Sequence, residues 1–211
     1  MKHLPQREAA TPEPVDERSA QGGNTLREAK LAFFEAAGLP ADGGYEARFV
    51  WFRVLGMWVG FPNTAARVRA LRYHDLHHAL TDYRADWMGE AQIGAWEVAS
   101  GCRGFLAAWV LNLWAMSAGL VISPAKTFRA FVRGRHSSNL YAQAYGDELL
   151  DRNISDVRRA SGLEAREGPA GLRDVLAFAG FSALSLGLAG LPLVLVGLGG
   201  WALVAKLSAA G

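Results

Sequence analysis

Four side chains whose types and spacing suit a single metal fall within 17 residues: His74, Asp75, His78 and Glu90. His74 and His78 are spaced i, i+4, so on a helix their imidazoles project from one face about one turn apart. Asp75 is i, i+3 from His78 and leans toward the same point. Glu90 follows His78 after eleven intervening residues and can return from a second helix. Two imidazoles and two carboxylates suit zinc, or iron or manganese in a more open site. Three of the chain's five histidines lie in residues 74–78, so the concentration is local. A histidine pair at helical spacing is also a common surface or core feature, and the surrounding sequence has to decide. His77 points away from the 74/78 face, and replacing it is expected to spare both metal and activity.

The elements around these residues read as helices. Residues 81–87 are polar and turn-prone, and a new apolar period begins with Ile93 and Trp96. This predicts a histidine-bearing helix over 65–79, capped by Asn63 or Thr64, and a second helix over 88–101. Metal sites are often built this way, between facing helices of a bundle. Upstream, Thr25 with Glu28 forms a capping-box pattern that opens a helix over 26–37, closed by Gly38-Leu39-Pro40. Residues 45–59 carry Phe49, Phe52 and Trp58 at helical spacing and are expected to form another helix. No run shows the alternation of a sheet. The expected fold class is all-α: a compact helical domain with the metal site between adjacent helices, plus an apolar C-terminal helix or helical hairpin on a membrane.

Composition supports that division. Hydrophobic residues make up 51% of the 211, mean hydropathy is +0.08 and the net charge of +2 argues against a nucleic-acid partner. Cys102 is the sole cysteine, which excludes an intrachain disulfide and a thiolate cluster; a small apolar contact is its expected role. Residues 1–24 read as a disordered arm, 25–165 as the helical domain that carries the metal site, and 166–211 as a membrane-anchoring tail. Residues 104–125 carry no charge; Asn112 and the small residues favour a buried helix over a span. Lys126, Arg129, Arg133 and Arg135 follow and suit contact with anionic headgroups. Residues 175–205 are uncharged, with Pro192 near the middle, and are expected to form one kinked span or a shallow hairpin. Arg166 and Arg173 favour a cytoplasmic N-terminal flank, in a bacterium on the inner membrane.

The HDxxH pattern, eleven residues and then Glu resembles the signature of the ubiquinone (coenzyme Q) biosynthesis protein four family. Gly89-Glu90, Glu97, Gly134-Arg135, Asn139-Leu140-Tyr141 and the run Arg158 to Leu163 are similar to further family landmarks in the same order. The resemblance covers roughly residues 45–163, and a closing helix over 151–163 is part of it; His77 and the apolar tail depart from the pattern. It implies a role in ubiquinone biosynthesis on a polyprenylated hydroxybenzoate, as a metal-dependent lyase that removes the carboxylate at ring carbon one, coupled to hydroxylation there. Residues 25–165 would then bind prenyl lipid as well as metal, and His74, Asp75, His78 and Glu90 would ligate the metal. Glu97, two turns beyond Glu90, would support it or transfer a proton. The alternative is a non-catalytic prenyl-lipid-binding scaffold that organises other quinone-biosynthesis proteins. Membrane lipid, those proteins and a second copy of the chain are the other expected partners. His74, His77 and His78 also fit one HxxHH box of di-iron desaturases. Those enzymes carry three boxes, and only His3 and His136 remain elsewhere. A phosphohydrolase of the HD type lacks its upstream core histidine here, and serine-triad, P-loop and dinucleotide motifs are missing.

Overall fold

The computed structural model describes residues 25–54, 57–165 and 168–209. These form eight helices and one two-stranded hairpin in the order α1 (Leu26–Ala36), β1 (Phe49–Val54), β2 (Met57–Pro62), α2 (Ala65–Thr81), α3 (Trp87–Ser100), α4 (Leu106–Ile122), α5 (Pro124–Arg135), α6 (Asp147–Leu150), α7 (Ile154–Ala160) and α8 (Leu172–Ala209). The arm over 1–24 lies outside the described residues.

Local chemistry sets the ends of the helices that matter. The Thr25 hydroxyl accepts from the Glu28 N–H while the Glu28 carboxylate accepts from the Thr25 N–H, so the capping box is complete. Thr64 caps α2, and Asp86 caps α3 by accepting from the N–H groups of Met88 and Gly89. The carbonyls at the C-terminal end of α2 would otherwise be orphaned. Arg158 donates to those of Ala79 and Leu80, Arg133 to that of Thr81, and the Asp82 N–H to that of His78. Asp82 adopts a left-handed conformation, φ 62°, and its carboxylate also meets Arg158 at 2.6 Å. The histidine-bearing helix is thus pinned at its far end by α5 and α7.

α3 packs against α4 and α5, and α2 against α1 and α4. Gly134 permits the α3–α5 approach, because a Cβ there would fall on the Trp96 carbonyl. One apolar cluster joins Leu76, Leu80, Ala108, Leu140 and Val157 beneath α2; a second joins Val98, Leu113, Met116 and Phe131 between α3, α4 and α5.

Two expected helices are corrected. Residues 45–59 are not helical: 49–54 and 57–62 pair antiparallel, with Trp51 opposite Gly60. Their side chains are β-branched and aromatic, which fit a pleated surface better than a helix, and Gly56 and Gly60 both penalise helix. A Cβ on Gly60 would strike the Trp51 ring, so the register depends on that glycine. The helix expected over 151–163 is confined to α7. Asn153 accepts from the N–H groups of Ser155 and Asp156 and so starts a new helix there. The buried-helix expectation for 104–125 holds for one face of α4: Ala108, Asn112, Leu113, Met116 and Gly119 are buried, whereas Leu106, Leu111, Val121 and Ile122 are exposed.

The C-terminal segment is one continuous 38-residue helix rather than a hairpin. Its stretch Leu172–Leu191 is long and apolar enough to cross a membrane. Its first turns are also docked: Phe178 meets Phe128 and Phe131, Phe181 stacks on Trp109 at 6.1 Å, and Ser185 donates to the Leu113 carbonyl. Asp174 fastens its start, accepting from Arg135, His136 and the Gly171 N–H.

Candidate metal centre

His74 and His78 lie on the inner face of α2, one turn apart, and Glu90 sits in the first turn of α3. Asp86 and the tight link before it aim Glu90 at them. Gly89 lies so close to the Arg84 backbone that any Cβ would overlap the Arg84 carbonyl. The Nε2 atoms of the two histidines are 3.1 Å apart. Glu90 places Oε2 3.3 Å from His74 Nε2 and Oε1 3.3 Å from His78 Nε2. One donor atom from each of the three residues lies within 4.8 Å of the other two.

The remaining imidazole nitrogens decide what those Nε2 atoms can do. His78 Nδ1 is 2.8 Å from the Tyr83 carbonyl, which only accepts, so Nδ1 carries the proton. His74 Nδ1 donates to Glu97 at 2.9 Å. Both Nε2 atoms therefore face the same spot, opposite a carboxylate. Metal-ligating histidines characteristically donate their second N–H to a carboxylate or carbonyl, which fixes ring and tautomer. Phe33 of α1 stacks on the His78 ring at 4.7 Å and holds its plane.

Glu97 is the buried foundation of this arrangement. Its carboxylate, with no exposure, accepts from His74, from His77 Nδ1 at 2.8 Å, from the Tyr141 hydroxyl at 2.5 Å and from the Asn112 amide. Burial alone would raise its pKa, but His74 and His77 hold it well below the usual carboxylate range. His77 accepts at Nε2 from the Leu140 N–H, 3.0 Å away, which fixes it as a neutral Nδ1–H donor; burial keeps its pKa low. Glu90 is likewise depressed by both ligand histidines against the effect of burial. His74 is raised well above its ordinary value, because the Glu97 and Glu90 carboxylates overcome burial. The pocket thus favours positive charge at the point the Nε2 atoms face.

Asp75, expected as a fourth ligand, is not brought into the converging triad. Its buried carboxylate accepts from the Tyr45 hydroxyl at 2.5 Å, and burial raises its pKa. Three residues that sequence reasoning did not assign belong to the site. His77 is i, i+3 from His74 and hence a neighbour on the helix, Asn112 is the lone amide in the uncharged stretch, and Tyr141 has only its place in Asn139-Leu140-Tyr141 as a signal. His77 does point away from the metal-facing side, but into the network that orients His74. Cys102 is buried as a small apolar residue, with burial pushing its thiol pKa up.

An open cleft of about 780 Å³ runs from His78 between α1, the α2–α3 link and α7. Its α1 wall is Ala29, Ala32, Phe33 and Ala36; Ile154 and Arg158 lie across from them. Its size falls within the range of ordinary ligand pockets. No family model, curated protein or solved structure matches the chain.

Proposed function

We propose that the protein is a metal-dependent enzyme of ubiquinone biosynthesis that removes the ring carbon-one carboxylate of a polyprenylated hydroxybenzoate, coupled to hydroxylation at that carbon. The role comes from the resemblance carried by HDxxH, eleven residues and Glu, and the observation that supports it is the pair of Nε2 atoms, 3.1 Å apart and faced by Glu90. His74, His78 and Glu90 would hold a divalent ion, with zinc suited to the donor set and iron or manganese alternatives. When bound, that ion would act as a Lewis acid on the substrate carboxylate or phenolate. The chain's own residues supply orientation. Glu97 and the Tyr83 carbonyl would keep both imidazoles in the ligating tautomer, and Phe33 covers one face of the His78 ring. The alanine-lined cleft supports an apolar tail lying beside the site with the ring toward Glu90. Glu90 is 42% exposed, so the proton that leaves or enters the ring would have a route to water. Exchanging a ring carboxylate for a hydroxyl is a two-electron oxidation, so dioxygen or another oxidant must join the substrate.

Three converging protein donors leave positions open, which favours a catalytic ion over the closed four-ligand site of a structural one. That count is what separates this reading from the scaffold alternative. The test is twofold. The full-length protein purified in detergent should carry about one divalent ion, and expression should restore quinone synthesis in cells blocked at the carbon-one step. A metal-bearing protein that restores synthesis equally well as His78→Ala would overturn the catalytic reading and leave the scaffold.

A further inference from the structure

α4 and α8 run parallel, and their contacts keep one offset: Trp109 stacks on Phe181 and the Leu113 carbonyl meets Ser185, each pair 72 positions apart. Ile122, the last residue of α4, is therefore level with Val194. α8 continues past that level. In the last turn of α4 Val121 is 81% and Ile122 53% exposed.

The chain then turns through Ser123 into α5, and the charges there are of one sign. Residues 98–146 contain five Lys or Arg and no Asp or Glu. Four of the five lie on α5, and two of those are already engaged, Arg133 with the Thr81 carbonyl and Arg135 with Asp174. Lys126 and Arg129, in the first two turns of α5, are exposed and have no ionic partner among the described residues. An apolar helix end followed at once by free cations, beside the point where a long apolar helix leaves the domain, has the order of a bilayer in cross-section.

We propose that the α4–α5 corner seats the protein on an anionic phospholipid surface, with Val121 and Ile122 at the hydrocarbon boundary and Lys126 and Arg129 among the lipid phosphates. The corner fixes how deep α8 sinks. The part of α8 docked on α4 and α5 stays outside, and Leu176, 18 positions before Val194, lies about 27 Å short of the boundary at the helical rise. This geometry is independent of the chemistry proposed above, and a metal-free protein would seat equally well.

The test uses the full chain in nanodiscs holding one copy each, in a Cys102→Ala background, with an environment-sensitive fluorophore on Ile122→Cys or Leu176→Cys. On discs of mixed phosphatidylglycerol and phosphatidylcholine, the label at 122 should shift to the blue and brighten, and the label at 176 should report water. In the unlabelled protein, Lys126→Glu with Arg129→Glu should abolish the enrichment of phosphatidylglycerol that native mass spectrometry reads on the wild type. Both positions are exposed, and an unchanged thermal transition would verify that the double variant folds. Water-like emission at 122 would overturn the seat, as would shielding at 176, which would place all of α8 in the bilayer. Shielding at 122 that needs two copies in one disc would assign the corner to a second copy of the chain. An unchanged lipid enrichment in the double variant would remove the headgroups from the account.

Discussion

The α2–α3 pair and the α4–α8 pair are built on opposite terms. Between α2 and α3 the contact is polar and saturated. Glu97, His74, His77, Asn112 and Tyr141 each use their partners inside the protein, and the carbonyls that end α2 are met by arginines from α5 and α7. Between α4 and α8 the contact is apolar, one serine hydroxyl apart, and large side chains such as Leu184 and Leu186 remain uncovered. A satisfied buried network fixes one geometry, because any displaced member leaves a neighbour unpaired in a low-dielectric interior. An apolar interface tolerates sliding, because no buried polar group loses its partner when the side chains shift. The difference separates where the protein holds chemistry still from where it meets its surroundings.

The largest effect should come from breaking the saturated pair at its centre. Glu97→Ala strands four buried donors and should cost about 3–5 kcal/mol, read as a loss of the native transition in urea. A cost under about 1 kcal/mol would mean that the network does not hold the helices. His77→Ala should be intermediate, about 1–3 kcal/mol, since it orphans the buried Leu140 N–H and one Glu97 oxygen contact. Metal should still bind, at reduced affinity, because the three donors survive. This differs from the sequence-level expectation that position 77 is indifferent, and thermal unfolding beside metal titration tells the two apart.

On the other side of the comparison, Phe181→Ala should loosen α8 from α4 at about 1–2 kcal/mol, since the ring is only partly buried, and leave metal content unchanged. Loss of metal in that variant would show that the two pairs are coupled and erase the contrast. The smallest effect belongs to the cap. Asp86→Ala removes two hydrogen bonds at the start of α3 and should cost about 1 kcal/mol, yet weaken metal binding through Glu90.

Titration sharpens the polar side. In metal-free protein the raised pKa of His74 contributes stability that is fully present below the ordinary histidine value and is lost as pH rises through the raised one. The depressed Glu90 and Glu97 contribute stability that is present above the ordinary carboxylate value and is lost as pH falls through theirs. The thermal midpoint of chelator-treated protein should therefore decline on the alkaline side of about pH 6.5, and His74→Gln should flatten that decline. Metal runs the other way, since it competes with the proton for Nε2 and binds better as pH rises.

The sequence made the ligand-bearing helices legible because their signals are local. The i, i+4 histidines, the Thr25–Glu28 capping box and the polar link at 81–87 each act within one or two turns. The hairpin was misread because Phe49, Phe52 and Trp58 happen to fall at helical spacing, and only β-propensity and the Trp51–Gly60 pairing reveal the strands. The Glu97 network was half legible. Glu97 could be placed near the site by its seven-residue distance from Glu90. Its partners Asn112 and Tyr141 come from 15 and 44 residues away, and no local pattern encodes that meeting. Asp75 illustrates the reverse case: its spacing suits a ligand, but the hydroxyl of Tyr45, 30 residues upstream, takes its carboxylate.

X-ray absorption at the metal edge of the zinc-loaded, full-length protein tests the central claim most directly. The account predicts two imidazole nitrogens at about 2.0–2.1 Å with oxygen completing the shell, falling to one imidazole in His78→Ala. A shell without imidazole, or one unchanged by that substitution, would contradict it.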